Sequence, residues 1–481
     1  MTLYSTYSVK IKHYNHIFEE TVAIYREAVS FFINVCLNEW EDLAKMKILH
    51  LQQQHVEHLC HATQANAEVK YDKFDKLFYK FPSYLRRGAI DEAIGKVSSY
   101  RSNLARWEQM PTEARGHKPG VPKAGYTYPC MYRTGMYQET GTYESKIKIF
   151  IRNTWDWLTV SHRKSDVDYI NRWCAQKTKC APTLQRRGKE WFLDFPFEET
   201  IALPKPKILD QTVVSVDLGI NASATVSVMR ANGAVLGRHF LKLSKEYDSL
   251  SHAVNRIKKA QQHGNRKTPR LWAVANGIND DIAVKTAHFI METAIRYDAD
   301  VIVFEHLDLT GRKRGSKKQK LHLWRSQYVQ GMVQHKAHRN GIRISRVCAW
   351  GTSRLAYDGS GPVERGEEAG LKSYSLCKFQ NGKVYNCDLS ASYNIGSRYF
   401  IREILKSLPE RAGLDLAAKV PQVSRRSTCT LSTLTSLYAV LAGSMTQELS
   451  KGCIVETQFP PSKEATCENT DGKHATLDNM K

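Results

Sequence analysis

The sequence predicts a multidomain α+β protein in which a helical region precedes a β-rich module and a region of mixed strands and helices. The chain has 481 residues, of which 42% are apolar, enough for about two to four domains with hydrophobic cores. The spacing of apolar residues changes from helical to alternating near residue 126. Beyond Thr212, a run of strands gives way to alternating helices and strands, which completes the prediction.

The charge balance indicates a polyanionic partner. Lys and Arg number 70 against 48 Asp and Glu, which leaves a net charge of +22, and nucleic acid is the first candidate for such a partner. No uninterrupted apolar stretch approaches the roughly 18 residues of a membrane span, and Met1 to Lys12 contains no apolar signal core. Eleven irregularly spaced cysteines are expected to be reduced thiols. We therefore expect a cytoplasmic protein with no membrane partner.

Residues 21–125 are expected to form a helical lobe. Apolar residues recur at intervals of three and four from Ile90 to Leu104, the spacing that places them on one helix face. Basic residues lie among them, and Arg86, Arg87 and Arg101 are candidate contacts to nucleic-acid phosphates. Each of these arginines could equally be a solvated surface charge.

Residues 1–20 and 126–205 are expected to form a β-rich module, either a small β-barrel or a sheet. Apolar residues alternate from Lys146 to Phe150, and the stretch from Trp155 to Val160 is aromatic and β-branched, both of which are typical of strands. The segment Pro204-Lys-Pro206 suits neither a helix interior nor a central strand. It is therefore predicted to be a linker to the next domain.

Residues 206–347 have the element order of an RNase H core. Strands are predicted for Val213–Asp217, Ser223–Met229 and Ala234–Leu243, then helices for about Leu250–Gln262 and Asp280–Tyr297, a buried strand for Val301–Phe304, and a helix and strand ending at Val347. The pair Asn232-Gly233 favours a type I′ hairpin between the second and third strands. Three antiparallel strands followed by alternating helices and strands are the expected arrangement.

Two further segments are distinguished by composition. A basic loop contains Arg312, Lys313, Arg314, Lys317 and Lys318, which are candidate phosphate contacts. Residues 414–481 are rich in Ser and Thr and polar towards the end, so we expect a partly disordered C-terminal tail.

Three acidic residues stand where such a core can bind metal. Asp217 ends the first strand, Glu305 follows the buried strand, and Asp388 opens a predicted helix. Carboxylates converging at strand ends can hold two Mg²⁺ or Mn²⁺ ions roughly 4 Å apart, which is a phosphodiester-cleaving arrangement. Taken singly, Asp217 could be a turn residue, Glu305 a solvated strand end and Asp388 a helix N-cap. Asp217 and Glu305 both follow apolar runs, where an unpaired charge is costly.

At these residues the sequence resembles the transposon-encoded nuclease TnpB and the compact type V CRISPR effectors. The segments Val216–Asn221, Val303–Leu307 and Asp388–Ile395 are similar to the three split RuvC motifs of that family in order and spacing. The resemblance also includes the segment Phe81–Asn103 of the helical lobe and Gly351–Ser353, and it covers roughly residues 1–410.

The resemblance implies a fold and a set of roles. The helical lobe would be a recognition lobe and the β-rich module a β-barrel wedge domain, which together hold guide RNA and the guide–target duplex. An RNase H-like (RuvC) nuclease core would cut DNA, with Asp217, Glu305 and Asp388 as the catalytic, Mg²⁺-binding carboxylates. Residues 388–413 would form the last helix of that core.

The sequence departs from the family at residues 348–387, where members usually insert a zinc ribbon with two Cys-x-x-Cys pairs. The stretch Thr352–Gly359 contains no cysteine, and Gln380 stands where Cys377 would need its partner. Cys348 and Cys387 are nearby, but three thiols without pair spacing do not specify tetrahedral zinc. We therefore expect a degenerate ribbon-like insertion and disfavour a bound zinc ion.

The function these observations favour is RNA-guided DNA cleavage by two-metal hydrolysis in a RuvC site. The expected partners are a guide RNA and target DNA, with a monomeric protein in a ribonucleoprotein. One alternative is a guided DNA binder whose nuclease is silent, which the intact acidic trio disfavours. Another is a transposase or resolvase-type enzyme that acts without guide RNA, since an RNase H core also serves those reactions. The large basic lobes favour guidance, by resemblance.

Overall fold

A computed structural model describes residues 1–13, 16–132, 135–219, 222–307, 323–371, 373 and 375–450. The chain divides into two compact units, Met1–Ala202 and Leu203–Lys481. Each unit contains helices and sheets, which confirms the prediction of a mixed, multidomain protein.

Among the described residues, the first unit contains two long helices that pack against each other, together with four shorter ones. Its helices are α1 (Ile17–Asn38), α2 (Trp40–Leu43), α3 (Leu49–Cys60), α4 (Lys73–Leu77), α5 (Ser83–Gln109) and α6 (Lys164–Cys174). Buried residues of α1 recur at intervals of three and four residues, from Phe18 through Val22 and Tyr25 to Phe32. They therefore form one stripe along the helix. This stripe faces the core that α5 shares through residues such as Ile90.

The strands of this unit are β1 (Thr2–Lys10), β2 (Tyr137–Gly141), β3 (Glu144–Ile151), β4 (Thr154–Ser161), β5 (Thr178–Lys179), β6 (Thr183–Arg187) and β7 (Glu190–Thr200). They form two open antiparallel sheets. In one, β7 lies between β1 and the short strands β5 and β6, and in the other β3 lies between β2 and β4.

The β-barrel that the sequence suggested is therefore not found among the described residues. Its strands divide into the two sheets because β1 pairs with β7 along its whole length, while β2, β3 and β4 are consecutive strands that pair with one another. An isolated bridge between Ile11 and His162 links the sheets at one point. A closed barrel would need its edge strands to pair with each other continuously.

His162 is one of the two residues of that bridge, and it is expected to make the first unit sensitive to acid. Its side chain is 5% exposed, and Nε2 lies 2.8 Å from the Ser145 Oγ. Burial, assisted by the Lys179 charge, lowers the pKa of His162 to about 4. Because the unfolded chain takes up this proton near pH 6.5 and the folded chain only near pH 4, stability falls as the pH drops through that window.

We expect His162→Gln to remove this acid sensitivity. Between pH 7 and pH 5 the histidine should contribute a loss of about 2 kcal/mol, or roughly 4–8 °C in the melting temperature of the unit. Glutamine cannot titrate, so thermal denaturation of the variant should show that much less dependence on pH. The matched control is His117→Gln, since His117 is exposed. Equal pH dependence in the wild type and His162→Gln would contradict the assignment.

The second unit is built on a five-stranded sheet. Its strands are β8 (Thr212–Asp217), β9 (Ala224–Arg230), β10 (Val235–Leu241), β11 (Val301–His306) and β12 (Arg343–Cys348), in the order β10-β9-β8-β11-β12. The pairs β8–β9 and β9–β10 are antiparallel, whereas β11 is parallel to both β8 and β12. The antiparallel arrangement of the first three strands and the order of the elements along the chain agree with the sequence prediction.

Helices cover both faces of this sheet. The helices of the unit are α7 (Ser244–Gln262), which packs on α8, and α8 (Pro269–Arg296), α9 (Ser326–Arg339), α10 (Cys387–Ser407), α11 (Glu410–Lys419) and α12 (Leu431–Ser450). Val214 packs in one core with Ala287 of α8, and its neighbour Val213 packs in another with Phe400 of α10. Successive strand residues point to opposite faces, so a continuous apolar run is what a doubly covered strand requires.

The turn between β9 and β10 differs from the predicted type I′ turn. Gly233 has a φ of +84°, and its N–H donates to the Arg230 carbonyl at 3.0 Å. Asn232 is not among the residues of positive φ, whereas a type I′ turn needs two such residues in succession. The Asn232 side chain instead accepts from the Ala234 N–H at 2.9 Å. The hairpin therefore closes with a three-residue loop whose last residue is the left-handed glycine.

Part of the predicted C-terminal tail is also folded. The residues from Glu410 to Ser450 include α11 and α12, and Leu416, Leu434 and Leu437 are buried in the core beside α10. The Ser/Thr-rich composition concealed an apolar stripe, since Leu431, Leu434, Leu437 and Leu441 recur at three and four. Residues 451–481 of the predicted tail lie outside the described residues.

None of the helices in the described parts of the chain is both long enough and apolar enough to span a membrane.

Candidate active site

The sheet brings Asp217 and Glu305 to one edge. β8 and β11 are parallel, with Val216 paired to Phe304, so the two acidic residues follow at the same level where the strands end. Both side chains are partly buried. The register of two adjacent parallel strands therefore determines this half of the site.

Asp388 enters from the first turn of α10, which crosses the same sheet. The helix is capped by Asn386, whose Oδ1 accepts from the Leu389 N–H at 2.9 Å. Capping therefore does not account for Asp388. The helix also approaches the sheet closely, because a Cβ at Gly396 would lie 2.7 Å from the Met229 Sδ and 3.0 Å from the Ser215 Oγ.

The three carboxylates interact electrostatically. Burial raises the pKa of Asp217 well above its usual value, and repulsion from Glu305 and Asp388 raises it further. Burial also raises the pKa values of Glu305 and Asp388. Like charges influence one another this way when they are close and poorly solvated. The structure thus brings together the three acids singled out in the sequence.

Three other side chains oppose this negative charge. Thr352 donates its hydroxyl hydrogen to Glu305 Oε1, which lowers the pKa of that carboxyl, as does the Arg398 charge. Arg365 of the small sheet described below lowers the pKa of both Asp217 and Asp388. Sequence reasoning missed Arg365 and Arg398, because neither belongs to a recognisable motif.

Arg398 also fixes the segment that follows β12. Its Nη1 donates to the carbonyls of Cys348 and Trp350, both at 2.8 Å. Its Nε and Nη2 donate to the carbonyls of Cys429 and Ser427, at 3.1 and 2.5 Å. The side chain is buried, and burial lowers its pKa. One cation therefore ties two loops to α10.

Asn394 performs a similar task one turn earlier. Its Nδ2 donates to the carbonyls of Thr352 and Leu355, both at 2.9 Å, and the residue is fully buried. Because Thr352 contacts Glu305 through its hydroxyl, Asn394 indirectly positions that carboxylate. This network was visible in the sequence only as the polar residues of the third motif.

The donor chemistry of the site fits a hard divalent cation. Carboxylate oxygens are the ligands that Mg²⁺ and Mn²⁺ prefer, and a cation would offset the mutual repulsion that raises the Asp217 pKa. Over the described ranges, no group of three or more His, Cys, Asp or Glu side chains is arranged to hold a metal ion. The suitability of the site for a divalent cation is therefore argued from the type of its donor atoms and from their charge.

A small sheet occupies the place of the predicted ribbon-like insertion. Its strands are β13 (Glu364–Arg365), β14 (Leu376–Lys378) and β15 (Val384–Asn386). Cys377 and Cys387 are buried with Ala356 and Phe379 in an apolar cluster, and a hydrogen bond between the two thiols lowers the pKa of Cys377. Cys348 is exposed. Apolar packing thus stabilises this sheet, and β13 delivers Arg365 towards the carboxylates.

The predicted phosphate contacts differ in their availability. Arg86 is buried and pairs with Glu57, its Nη2 lying 2.8 Å from Oε1, so an internal ion pair accounts for this residue. Arg87 pairs with the same carboxylate but leaves half of its side chain exposed. Arg101 is partly buried and donates to the Leu37 carbonyl at 3.2 Å. The five basic residues Arg312, Lys313, Arg314, Lys317 and Lys318 lie outside the described residues.

Known proteins resemble the chain in both sequence and fold. Residues 5–151 match the model of the Aq_aa04 family. A TnpB-like protein of Aquifex aeolicus (strain VF5) is 27% identical over 230 residues, which cover 44% of this chain and 74% of that protein. A Cas12f1 chain, solved as a complex with sgRNA and target DNA, matches with a TM-score of 0.53 at 12% identity, over 82% of this chain and 98% of that one. The chain therefore resembles the TnpB-like proteins in sequence and shares the mixed multidomain fold of a compact type V effector.

Proposed function

We propose that the protein is an RNA-guided DNA endonuclease that hydrolyses phosphodiester bonds in a RuvC-type site. The observation that carries this proposal is the convergence of Asp217, Glu305 and Asp388 at one edge of the five-stranded sheet. The order of strands and helices along this unit, three antiparallel strands and then alternating helices and strands, supports an RNase H-like core. Similarity to a TnpB-like protein supports the same class of enzyme.

In this proposal the carboxylates hold Mg²⁺ or Mn²⁺. Two such ions would supply an activated water and neutralise the charge of the leaving oxygen. The protein contributes the placement: β8 and β11 present Asp217 and Glu305 side by side, and α10 adds Asp388. Thr352 orients Glu305, and Arg365 places a positive charge beside the site, where the phosphate of a DNA strand would gain a partner. No side-chain nucleophile is required.

The proposal that the protein binds a guide RNA is supported by its net charge and by its similarity to a solved structure. A net charge of +22 suits a protein that binds the phosphate backbones of RNA and DNA. The Cas12f1 chain of similar fold was solved with sgRNA and target DNA. The proposed partners are accordingly a guide RNA and a DNA target. We further propose that one protein chain acts in the ribonucleoprotein.

Purification without nuclease treatment tests the guided function. We expect a defined small RNA to remain bound, and the complex with Mg²⁺ to cut DNA that matches the RNA. A transposase or resolvase-type enzyme is the competing proposal, because it would use the same carboxylates without a guide. If no RNA copurifies and the protein cuts or joins DNA according to DNA structure alone, that alternative replaces the guided nuclease.

Thr352→Val should slow cleavage without unfolding the protein. Valine keeps the shape of threonine but cannot donate to Glu305, so we expect a loss of about tenfold in cleavage rate, equivalent to one lost hydrogen bond to a charged group. Single-turnover cleavage of a matched target would measure it. Thr428→Val is the control, because the Thr428 hydroxyl donates to the Arg425 carbonyl, away from the carboxylates. Equal rates for both variants would show that Thr352 does not position Glu305.

A further inference from the structure

A cavity of about 450 Å³ opens in the second unit beside the carboxylate edge. Its walls are the turn after β8, the helices α7 and α8, and the beginning of α9. Leu218 and Gly219 of that turn line the cavity and directly follow Asp217. The cavity and the candidate active site therefore share one short stretch of backbone, and a volume of this order is typical of small-ligand sites.

The lining combines apolar, aromatic and amide groups. The buried apolar residues are Leu250, Val254, Ile282, Ala283 and Val329. Tyr247 and Trp324 add partly exposed aromatic rings, and Asn255 and Lys258 lie at the exposed rim. Such a lining suits a flat heteroaromatic ring that carries polar atoms on its edge.

Ser326 provides an independent sign of a ligand. The residue lines the cavity and is 1% exposed, and its hydroxyl oxygen is buried without a hydrogen-bond partner in the described structure. A buried hydroxyl without a partner is costly and calls for an explanation. Asn279 lines the same wall, where its Nδ2 donates to the Leu323 carbonyl at 2.8 Å. A ligand edge that offers a nitrogen or oxygen acceptor would satisfy Ser326.

The charges at the rim favour a ligand with a phosphate. Arg325 is already paired with Asp280, so its charge is largely compensated. Lys258 is exposed on α7, one turn beyond the buried Val254, and Asp248 lies on the same helix nearly three turns away. A phosphate attached to a ring in the cavity would face Lys258 at the end remote from Asp248.

We propose that this cavity receives one nucleobase of the DNA strand that is cut at the adjacent carboxylates. The base would stack against Tyr247 or Trp324, and Ser326 would donate a hydrogen bond to its edge. Holding one base out of the stack would fix the neighbouring phosphodiester relative to Asp217. The inference rests on the proposed nuclease function, because it assigns the substrate strand to that site.

The test uses the full-length Asp217→Asn variant and single-stranded DNA that carries one 2-aminopurine at successive positions. We expect a fluorescence change on binding at one position, which reports a base in a new stacking environment. Ser251→Trp should abolish the change and weaken binding about tenfold, equivalent to the loss of one stacked base. Ser251 is an exposed residue of the lining, so the added ring fills the cavity without disturbing the core.

Two further variants separate binding from folding. His252→Trp carries the same ring on the neighbouring exposed position, outside the lining, and should keep both the signal and the affinity. Ser326→Ala should leave the melting temperature unchanged or raised, because it removes an unsatisfied hydroxyl, yet weaken DNA binding about threefold to tenfold. A purely structural serine would not give these opposite effects.

Three outcomes would overturn the inference. One is that no position gives a signal, and another is that Ser251→Trp and His252→Trp behave alike. In the third, 2-aminopurine deoxyribonucleoside monophosphate binds in a Ser251-dependent way while no DNA position responds, so the ligand is a free nucleotide. Failure of the nuclease proposal is distinguishable, because it is read from the cutting of matched DNA by the wild-type protein and not from the fluorescence of the Asp217→Asn complex.

Discussion

Asp217→Asn is expected to lower the rate of DNA cleavage by on the order of 1000-fold, equivalent to about 4 kcal/mol of transition-state stabilisation. Asparagine keeps the shape of the side chain but lacks the negative charge that would hold a divalent cation. The measurement is single-turnover cleavage of matched DNA by the RNA-loaded protein in Mg²⁺.

The same substitution should not destabilise the protein. Repulsion from Glu305 and Asp388 raises the pKa of Asp217, so the charged carboxylate is unfavourable in the metal-free fold. We therefore expect the melting temperature in EDTA to be unchanged or higher, as is common when a strained active-site charge is removed. Asp210→Asn, on an exposed residue before β8, is the control and should retain full activity. Cleavage by Asp217→Asn at the wild-type rate would refute the proposed site.

Arg398→Met is expected to cause the largest loss of stability in the second unit. The guanidinium donates to four main-chain carbonyls in two loops, and methionine would leave these buried or partly buried acceptors without their donor. The expected cost is about 3–5 kcal/mol, or roughly 10 °C in melting temperature. Thermal unfolding followed by tryptophan fluorescence would measure it.

Lys406→Met provides the matched control on the same helix. Its side chain is 60% exposed and reaches Glu403 at 3.6 Å, and such an exposed pair contributes little. We expect a change of less than about 1 kcal/mol. If Arg398→Met and Lys406→Met have the same melting temperature, the carbonyl contacts of Arg398 do not stabilise the fold.

Much of the fold was predicted from local patterns of apolar residues in the sequence. The apolar runs at Val213 and Val301 predicted buried strands because only a doubly covered strand needs apolar side chains in succession. The acidic residue that closes each run, Asp217 or Glu305, stood out for the same reason: a charge beside buried backbone is costly without a role. The antiparallel arrangement of the first three strands followed from the short turns between them, since a short turn joins antiparallel neighbours.

Other predictions failed where the decisive information was not local. The barrel was wrong because the strands of the predicted module divide into two open sheets, and whether edge strands pair to close a barrel depends on the packing of the whole module. The type I′ turn was wrong because Asn232 adopted negative φ and used its side chain to accept from Ala234. Composition made residues 414–450 resemble a tail, although four leucines at helical spacing could have shown that α12 packs on the core.

The sequence by itself determined the chemical type of the candidate site, because oxygen donors and their strand-end positions are local properties of the chain. Only the tertiary structure decided which groups surround the three acids. Arg365, Thr352 and Arg398 come from separate segments, and they meet the carboxylates only because β13, the loop after β12 and α10 pack at one sheet edge. The cavity beside Asp217 could not be predicted from the sequence either. It is formed by α7, α8 and the start of α9 together, and a space enclosed by separate segments leaves no pattern along the chain.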